Sequence, residues 1–209
     1  MGGALREAAE AEPGAPWAAD WPALARTWRQ KQLEITWLRA AASRHADFRT
    51  VTADALDWTL THAGMSDPDL RDRLLGLYAR LPLFPEARAA VEAIRAKGLP
   101  TAILTNATPT MIGGLLEASG TAPLFEAVLT VEEAGVYKPH PSVYALATTR
   151  FGREPGDILF VSANGWDSAG AAGFGFRVAW INRENNPVDQ LWATPEWVLP
   201  SLAPLPDLL

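Results

Sequence analysis

The amino-acid sequence predicts an α/β protein, in which a helical segment is followed by strands and helices in alternation that build a parallel sheet. Three observations carry this. Before Pro82 the chain offers long stretches without strand character, with apolar residues at helical spacing. After Pro85, short apolar runs of strand length alternate with helical stretches. The 209 residues are 48% hydrophobic and 20% charged, an ordinary globular composition with enough material for a packed core.

Residues 21–45 contain no glycine, and their one proline, Pro22, suits a first helical turn. Leu24, Trp28, Leu33, Trp37 and Leu38 are expected to form the apolar face of this helix. A second helix is expected from about Val51 to His62, stopped at Gly64, and a third from the Asp67-Pro68 cap to about Arg80. Beyond Pro85, residues 86–97 form a helix closed by Gly98, 100–105 a buried-type strand, and 108–119 a helix ending at Gly120. Residues 127–130 are a strand, 141–151 a helix and 157–162 a strand. A helix starts at Trp166, residues 176–181 are a strand, and 196–199 are a weak edge strand. The proline-interrupted 201–209 segment is expected to pack as a short cap. In open parallel sheets, ligands sit at the carboxyl ends of the strands.

Composition excludes several classes. The net charge is −6 and the pI about 5.1, which argues against a general nucleic-acid binder. The absence of cysteine excludes disulfide scaffolds, thiolate zinc, iron–sulfur clusters and a cysteine nucleophile. His45, His62 and His140 leave little for a histidine metal site. No apolar run reaches the roughly 20 residues of a membrane helix, and residues 1–12 lack a signal pattern, so a cytoplasmic protein is expected. Nine tryptophans suggest a core or pocket with aromatic walls.

Three groups that could carry chemistry follow strands. Thr105-Asn106 offers a hydroxyl and an amide before a helix; the pair can bind an anion or simply cap that helix. Lys138-Pro139 is a cation on a rigid turn, catalytic or solvated. Residues 162–167 present Ser162, Asn164, Trp166 and Asp167; Asp167 is either a catalytic acid or a helix N-terminal one favouring the dipole. A fourth candidate, Arg29, lies within the first long helix between Trp28 and Trp37.

Four strings then carry a resemblance: Trp28-Arg-Gln-Lys-Gln-Leu-Glu-Ile-Thr-Trp-Leu-Arg39, Ile103-Leu-Thr-Asn-Ala-Thr-Pro109, Val136-Tyr-Lys-Pro139 with Tyr144, and Phe160-Val-Ser-Ala-Asn-Gly-Trp-Asp167. Over nearly the whole chain the sequence resembles the L-specific 2-haloacid dehalogenases of the haloacid dehalogenase superfamily. The first and last strings are specific to that subgroup. The resemblance implies a Rossmann-like hydrolase core (residues 84–209) with an all-helical cap (residues 1–83). It implies a small halogenated carboxylic acid as substrate and a homodimer formed through the first long helix; no cofactor and no metal are expected. It also implies a two-step hydrolysis through an aspartyl ester, giving the D-2-hydroxy acid. By resemblance, Arg29 and Asn106 cradle the departing halide, Thr105 holds the substrate carboxylate where the family usually has serine, and Lys138 offsets the carboxylate charge. Tyr144, Ser162 and Asn164 support this network, and Asp167 orients or activates the water. Phe48 and Trp166 form the apolar wall around the reacting carbon or, in the plainer reading, ordinary packing. The superfamily's phosphatases hold magnesium with acids where this chain has Ser162 and Asn164, and one carboxylate is a poor magnesium site.

The family's first core strand, ending in an Asp-x-x-Gly-Thr loop that carries the nucleophile, has no counterpart in these residues and is expected N-terminal to Met1. Glu7, Glu10, Glu12 and Asp20 lie on an alanine-rich segment with no strand to fix them, and are expected to be solvated. Without that strand the sheet is expected to expose unpaired, aggregation-prone edges. The alternative expectation is a truncated or degenerate relative that binds small carboxylates without turnover.

Overall fold

The computed structural model describes residues 2–209, in two compact units. One comprises the chain up to Pro82 together with Ala107–Ala122; the other comprises Leu83–Asn106 and Pro123–Leu209.

The first unit is helical: α1 (Gly2–Ala11), α2 (Trp21–Ala41), α3 (Phe48–His62), α4 (Pro68–Gly76) with a 3₁₀ turn after it (Leu77–Arg80), and a later helix, Pro109–Ala118. Two aspartates start helices as N-caps. Asp47 accepts from the Thr50 N–H at 2.8 Å, and Asp67 accepts from the Leu70 N–H at 3.0 Å with Pro68 in the first turn. The core joins Leu5 and Ala9 of α1, Leu24 and Trp28 of α2, Ala55, Leu56 and Leu60 of α3, and Leu70 and Leu74 of α4.

The long helix departs from expectation twice. It ends at Ala41 instead of reaching His45, and Ser43 adopts a left-handed φ of 53°. Its buried ridge also differs: Leu24, Trp28, Gln32 and Thr36 are buried at steps of four, whereas Trp37 and Leu38 are exposed. A ridge at i, i+4 follows one side of a helix closely, so the inner half of this helix continues from apolar to polar residues. The apolar residues at 37 and 38 lie off that ridge.

The second unit contains β1 (Ala102–Thr105), β2 (Ala127–Thr130), β3 (Leu159–Ser162), β4 (Arg177–Ile181) and β5 (Trp197–Leu199). Its helices are α5 (Ala87–Ala96), α7 (Pro141–Phe151) and α8 (Gly165–Phe174), with α6 the Pro109–Ala118 helix of the first unit. All pairings are parallel, as strands separated by helices require. The strands form two sheets, β1–β2 and β3–β4–β5, instead of one. Among the described residues, β1 pairs with a strand only through β2, and β3 only through β4.

Two apolar clusters flank these sheets. Tyr144, Phe160, Phe174 and Phe176 pack ring to ring with Leu129, Ala171 and Val178, and Ile94, Ala179 and Leu205 form the other. The C-terminal segment packs as a cap, with Leu205 buried and Lys97 Nζ donating to the carbonyls of Pro206 (2.7 Å) and Leu209 (2.9 Å). Of the tryptophans, Trp17, Trp28 and Trp180 are buried, while Trp37, Trp58 and Trp192 are exposed, so their abundance does not amount to one aromatic pocket.

Candidate active site

The carboxyl end of β3 gathers a group of bonded polar side chains. Ser162 is the last residue of β3, and three residues later α8 begins, which places Asp167 in the first turn of α8. Asp167 is buried, and its carboxylate is held from three sides. Oδ1 accepts from the Tyr144 hydroxyl at 2.8 Å. Oδ2 accepts from the Ser162 hydroxyl at 2.8 Å and from Lys138 Nζ at 3.3 Å. Lys138 also donates to the Leu104 carbonyl at 2.8 Å, and thereby ties the end of β1 to the start of α8. The Asn164 N–H donates to the Ser162 hydroxyl oxygen at 3.2 Å.

This ion pair is nearly dry: the side chains of Lys138 and Asp167 are 7% and 5% exposed. A charge buried in this way is tolerable only with a partner and with its remaining hydrogen-bonding capacity met. Lys138 is the partner of Asp167, and Tyr144 and Ser162 add hydrogen bonds to the carboxylate. Burial, reinforced by the adjacent Asp167 carboxylate, pushes the Tyr144 phenol up, so Tyr144 remains a donor. The macrodipole of α8 adds to the same field.

Close packing makes the geometry possible. A Cβ on Gly170 would lie 2.5 Å from the Tyr144 hydroxyl and 2.7 Å from Pro139 Cβ. Only a residue without a side chain lets Tyr144 and the Lys138-Pro139 turn reach this face of α8 together. The sequence signal for it is slight, one of two glycines in a run of small residues at 169–173.

Thr105 ends β1 and Asn106 follows it. The helix after them is capped by Thr108, whose hydroxyl accepts from the Met111 N–H at 3.3 Å, so Thr105-Asn106 does not serve as that N-cap. Asn106 Oδ1 is buried without a hydrogen-bond partner. Such an atom is costly unless a ligand or water completes it. Asn164 stands at the N-cap position of α8 without a side-chain cap bond, and Trp166 is half-buried beside it.

The structure thus brings Lys138, Tyr144, Ser162 and Asp167 into one bonded group. Arg29 and Phe48 belong to the helical unit. Phe48 is the buried first residue of α3. Arg29 Nη1 donates to Gln32 Oε1 at 2.8 Å, and Gln32 Nε2 donates to the hydroxyls of Thr52 (2.7 Å) and Tyr78 (2.8 Å). This second polar network was not evident from the sequence. Its one signal is that Gln32 follows Leu24 and Trp28 at steps of four.

A fixed carboxylate beside a lysine and two hydroxyls can hold and deprotonate a water or bind a small acid. Comparison with known proteins narrows this. The family model "haloacid dehalogenase-like hydrolase" matches residues 4–175. The (S)-2-haloacid dehalogenase of Pseudomonas putida is 41% identical over 188 residues, covering 90% of this chain and 83% of that protein. A dehalogenase crystal structure superposes with a TM-score of 0.92 at 34% identity, covering 100% of this chain and 90% of that one. The L-2-haloacid dehalogenase of Xanthobacter autotrophicus with chloropropionic acid covalently bound superposes at 0.86 with 33% identity, covering 100% of this chain and 92% of that one. The chain belongs to the haloacid dehalogenase-like hydrolases, within the group of (S)-2-haloacid dehalogenases, which act on carbon–halide bonds.

Proposed function

We propose that this protein hydrolyses small L-2-haloacids to D-2-hydroxy acids through an aspartyl ester. The observation that carries the reading is the buried Asp167 carboxylate, fixed by Tyr144, Ser162 and Lys138 at the carboxyl end of β3. The covalent adduct of the Xanthobacter relative supports the ester.

In the first step an aspartate oxygen bonds to the halogen-bearing carbon from the side opposite the halogen. The carbon–halogen bond breaks, and halide leaves with the electron pair, which inverts the centre. Arg29 and the Asn106 amide N–H stabilise the charge gathering on the halide. Thr105 donates to the substrate carboxylate, Lys138 offsets the carboxylate charges, and Phe48 and Trp166 wall the reacting carbon. In the second step water attacks the ester carbonyl. Asp167 takes the water's proton; the acyl carbon–oxygen bond of the ester then breaks, which restores the nucleophilic aspartate, and the leaving oxygen, still bonded to the inverted carbon, takes up a proton as the product hydroxyl. Asp167 Oδ1 receives one hydrogen bond from Tyr144 and so retains acceptor capacity for that water. Ser162 and Asn164 keep the carboxylate in place. The reading further includes a cytoplasmic homodimer, with the exposed Trp37 and Leu38 on α2 as the surface for the second copy.

The test uses the protein as its own cell makes it. Halide release from L-2-chloropropionate, absent with the D-isomer, is expected. Asp167→Asn should release about one halide per chain and then stop, with the added mass found on an aspartate. No halide release from the L-isomer would sink the reading. Calorimetric binding of lactate without any turnover would favour the carboxylate-binding alternative.

A further inference from the structure

We propose that Gln32 is a positioning residue for Arg29, presenting the guanidinium for halide through a buried relay formed with Thr52 and Tyr78. The inference rests on the halide role proposed for Arg29.

Gln32 is fully buried, on the ridge of α2 that also carries Leu24, Trp28 and Thr36. An apolar side chain would fill this place without the cost of burying an amide. The amide is instead satisfied at both ends. Its oxygen accepts from Arg29 Nη1 at 2.8 Å, and its nitrogen donates to Thr52 Oγ1 at 2.7 Å and to the Tyr78 hydroxyl at 2.8 Å.

The chemistry of the partners also sets which way the amide faces. Thr52 spends its own proton on the Phe48 carbonyl at 2.6 Å, so toward Gln32 it acts only as an acceptor. A flipped amide would set its oxygen against Thr52 and its N–H groups against the guanidinium. The relay is itself anchored. Trp28 Nε1 donates to the Thr52 carbonyl at 2.9 Å, and the Trp28 and Tyr78 rings meet edge to face at 5.4 Å. Burial pushes the Tyr78 phenol up, against a smaller opposing pull from Arg29, so its proton stays in place. One guanidinium nitrogen of Arg29 is therefore committed to a rigid acceptor, which orients the remaining donors of the fork.

The experiment titrates sodium bromide into the full chain and reads the bromide NMR line width, so it needs no turnover. Arg29→Ala is expected to abolish binding. Gln32→Met, similar in volume, should weaken it by roughly tenfold to a hundredfold, and Tyr78→Phe by about two- to tenfold. Gln32→Glu keeps the acceptor but sets an anion on Arg29. Binding should be lost at pH 8 and return on acidification, as the introduced carboxyl between Arg29 and Tyr78 takes a proton. A merely structural residue would give no such pH dependence. Wild-type binding by Arg29→Ala would refute the halide role itself. Loss in Arg29→Ala together with parental affinity in Gln32→Met would overturn the relay alone. If Gln32→Met does not fold, Tyr78→Phe decides in the same way.

Discussion

Replacing Gly170 by alanine is a severe change for so small a group. The new Cβ would sit 2.5 Å from the Tyr144 hydroxyl and 2.7 Å from Pro139 Cβ. Ordinary contact needs about 3.4 Å or more, so each neighbour must retreat by roughly 0.7–0.9 Å. Neither can do so cheaply: Tyr144 is fully buried among Phe160, Phe174 and Phe176, and Pro139 is locked to Lys138. Overpacking of this kind costs about 1–3 kcal/mol. The displaced hydroxyl also surrenders its 2.8 Å bond to Asp167, worth about 1.5–3 kcal/mol to a charged acceptor. Against this, alanine gains about 1 kcal/mol in helix propensity over glycine. The net loss is about 1.5–5 kcal/mol, a fall in Tm of roughly 3–20 °C.

Gly173 on the same helix is the matched control. A Cβ there would lie 2.5 Å from Trp192 Nε1, the same distance, but Trp192 is 65% exposed and can swing into solvent. Gly173→Ala should therefore be neutral or slightly stabilising. Thermal unfolding by circular dichroism compares the two variants directly. Equal stability of Gly170→Ala and the parent, or equal damage from both substitutions, would refute the argument that close approach of Tyr144 and Pro139 builds this site.

Two further outcomes follow from the same network. Lys138→Met should cost about 3–5 kcal/mol, because it strands a buried carboxylate, and adding Asp167→Asn should restore part of that. Urea unfolding of the two single variants and the double one measures the coupling, and simple additivity would speak against the ion pair. At high pH, Tyr144 and Tyr78 both have phenols raised by burial, so the unfolded chain gives up their protons first. Their contribution to stability is complete below the ordinary tyrosine value of 10.0 and declines as pH rises above it. The slope is up to about 1.4 kcal/mol per pH unit for each. Stability curves from pH 9 to 11.5 should flatten by one tyrosine's share in Tyr144→Phe; an unchanged slope would count against the burial argument.

Local chemistry made much of this molecule legible in advance. Asp67-Pro68 starts a helix because a carboxylate caps the free N–H groups and a proline tolerates the first turn. The short apolar runs at 102–105, 127–130 and 159–162 are strands of parallel pairs, as their continuous apolar character suggests, but only Leu129, Thr130 and Ser162 among them are buried, so the strand at 102–105 is not of the buried type expected. Thr105-Asn106 and residues 162–167 fall after those strands, where a parallel sheet presents its ends. The spacing of Trp37 and Leu38 misled, because they lie one and two residues past the buried Thr36, about 100° and 200° around the helix, and so fall on the surface.

The sequence by itself determined the element types, their order and the residue types available at the strand ends, because propensity, capping and periodicity act over a few neighbours. Tertiary structure alone decided the rest. Lys138 and Asp167 are 29 positions apart, and Gln32 and Tyr78 are 46. No local rule connects such pairs; packing brings them within bonding distance. The same packing makes Gly170 irreplaceable while leaving Gly173 free to vary, since the difference lies in whether the neighbour across the gap can move.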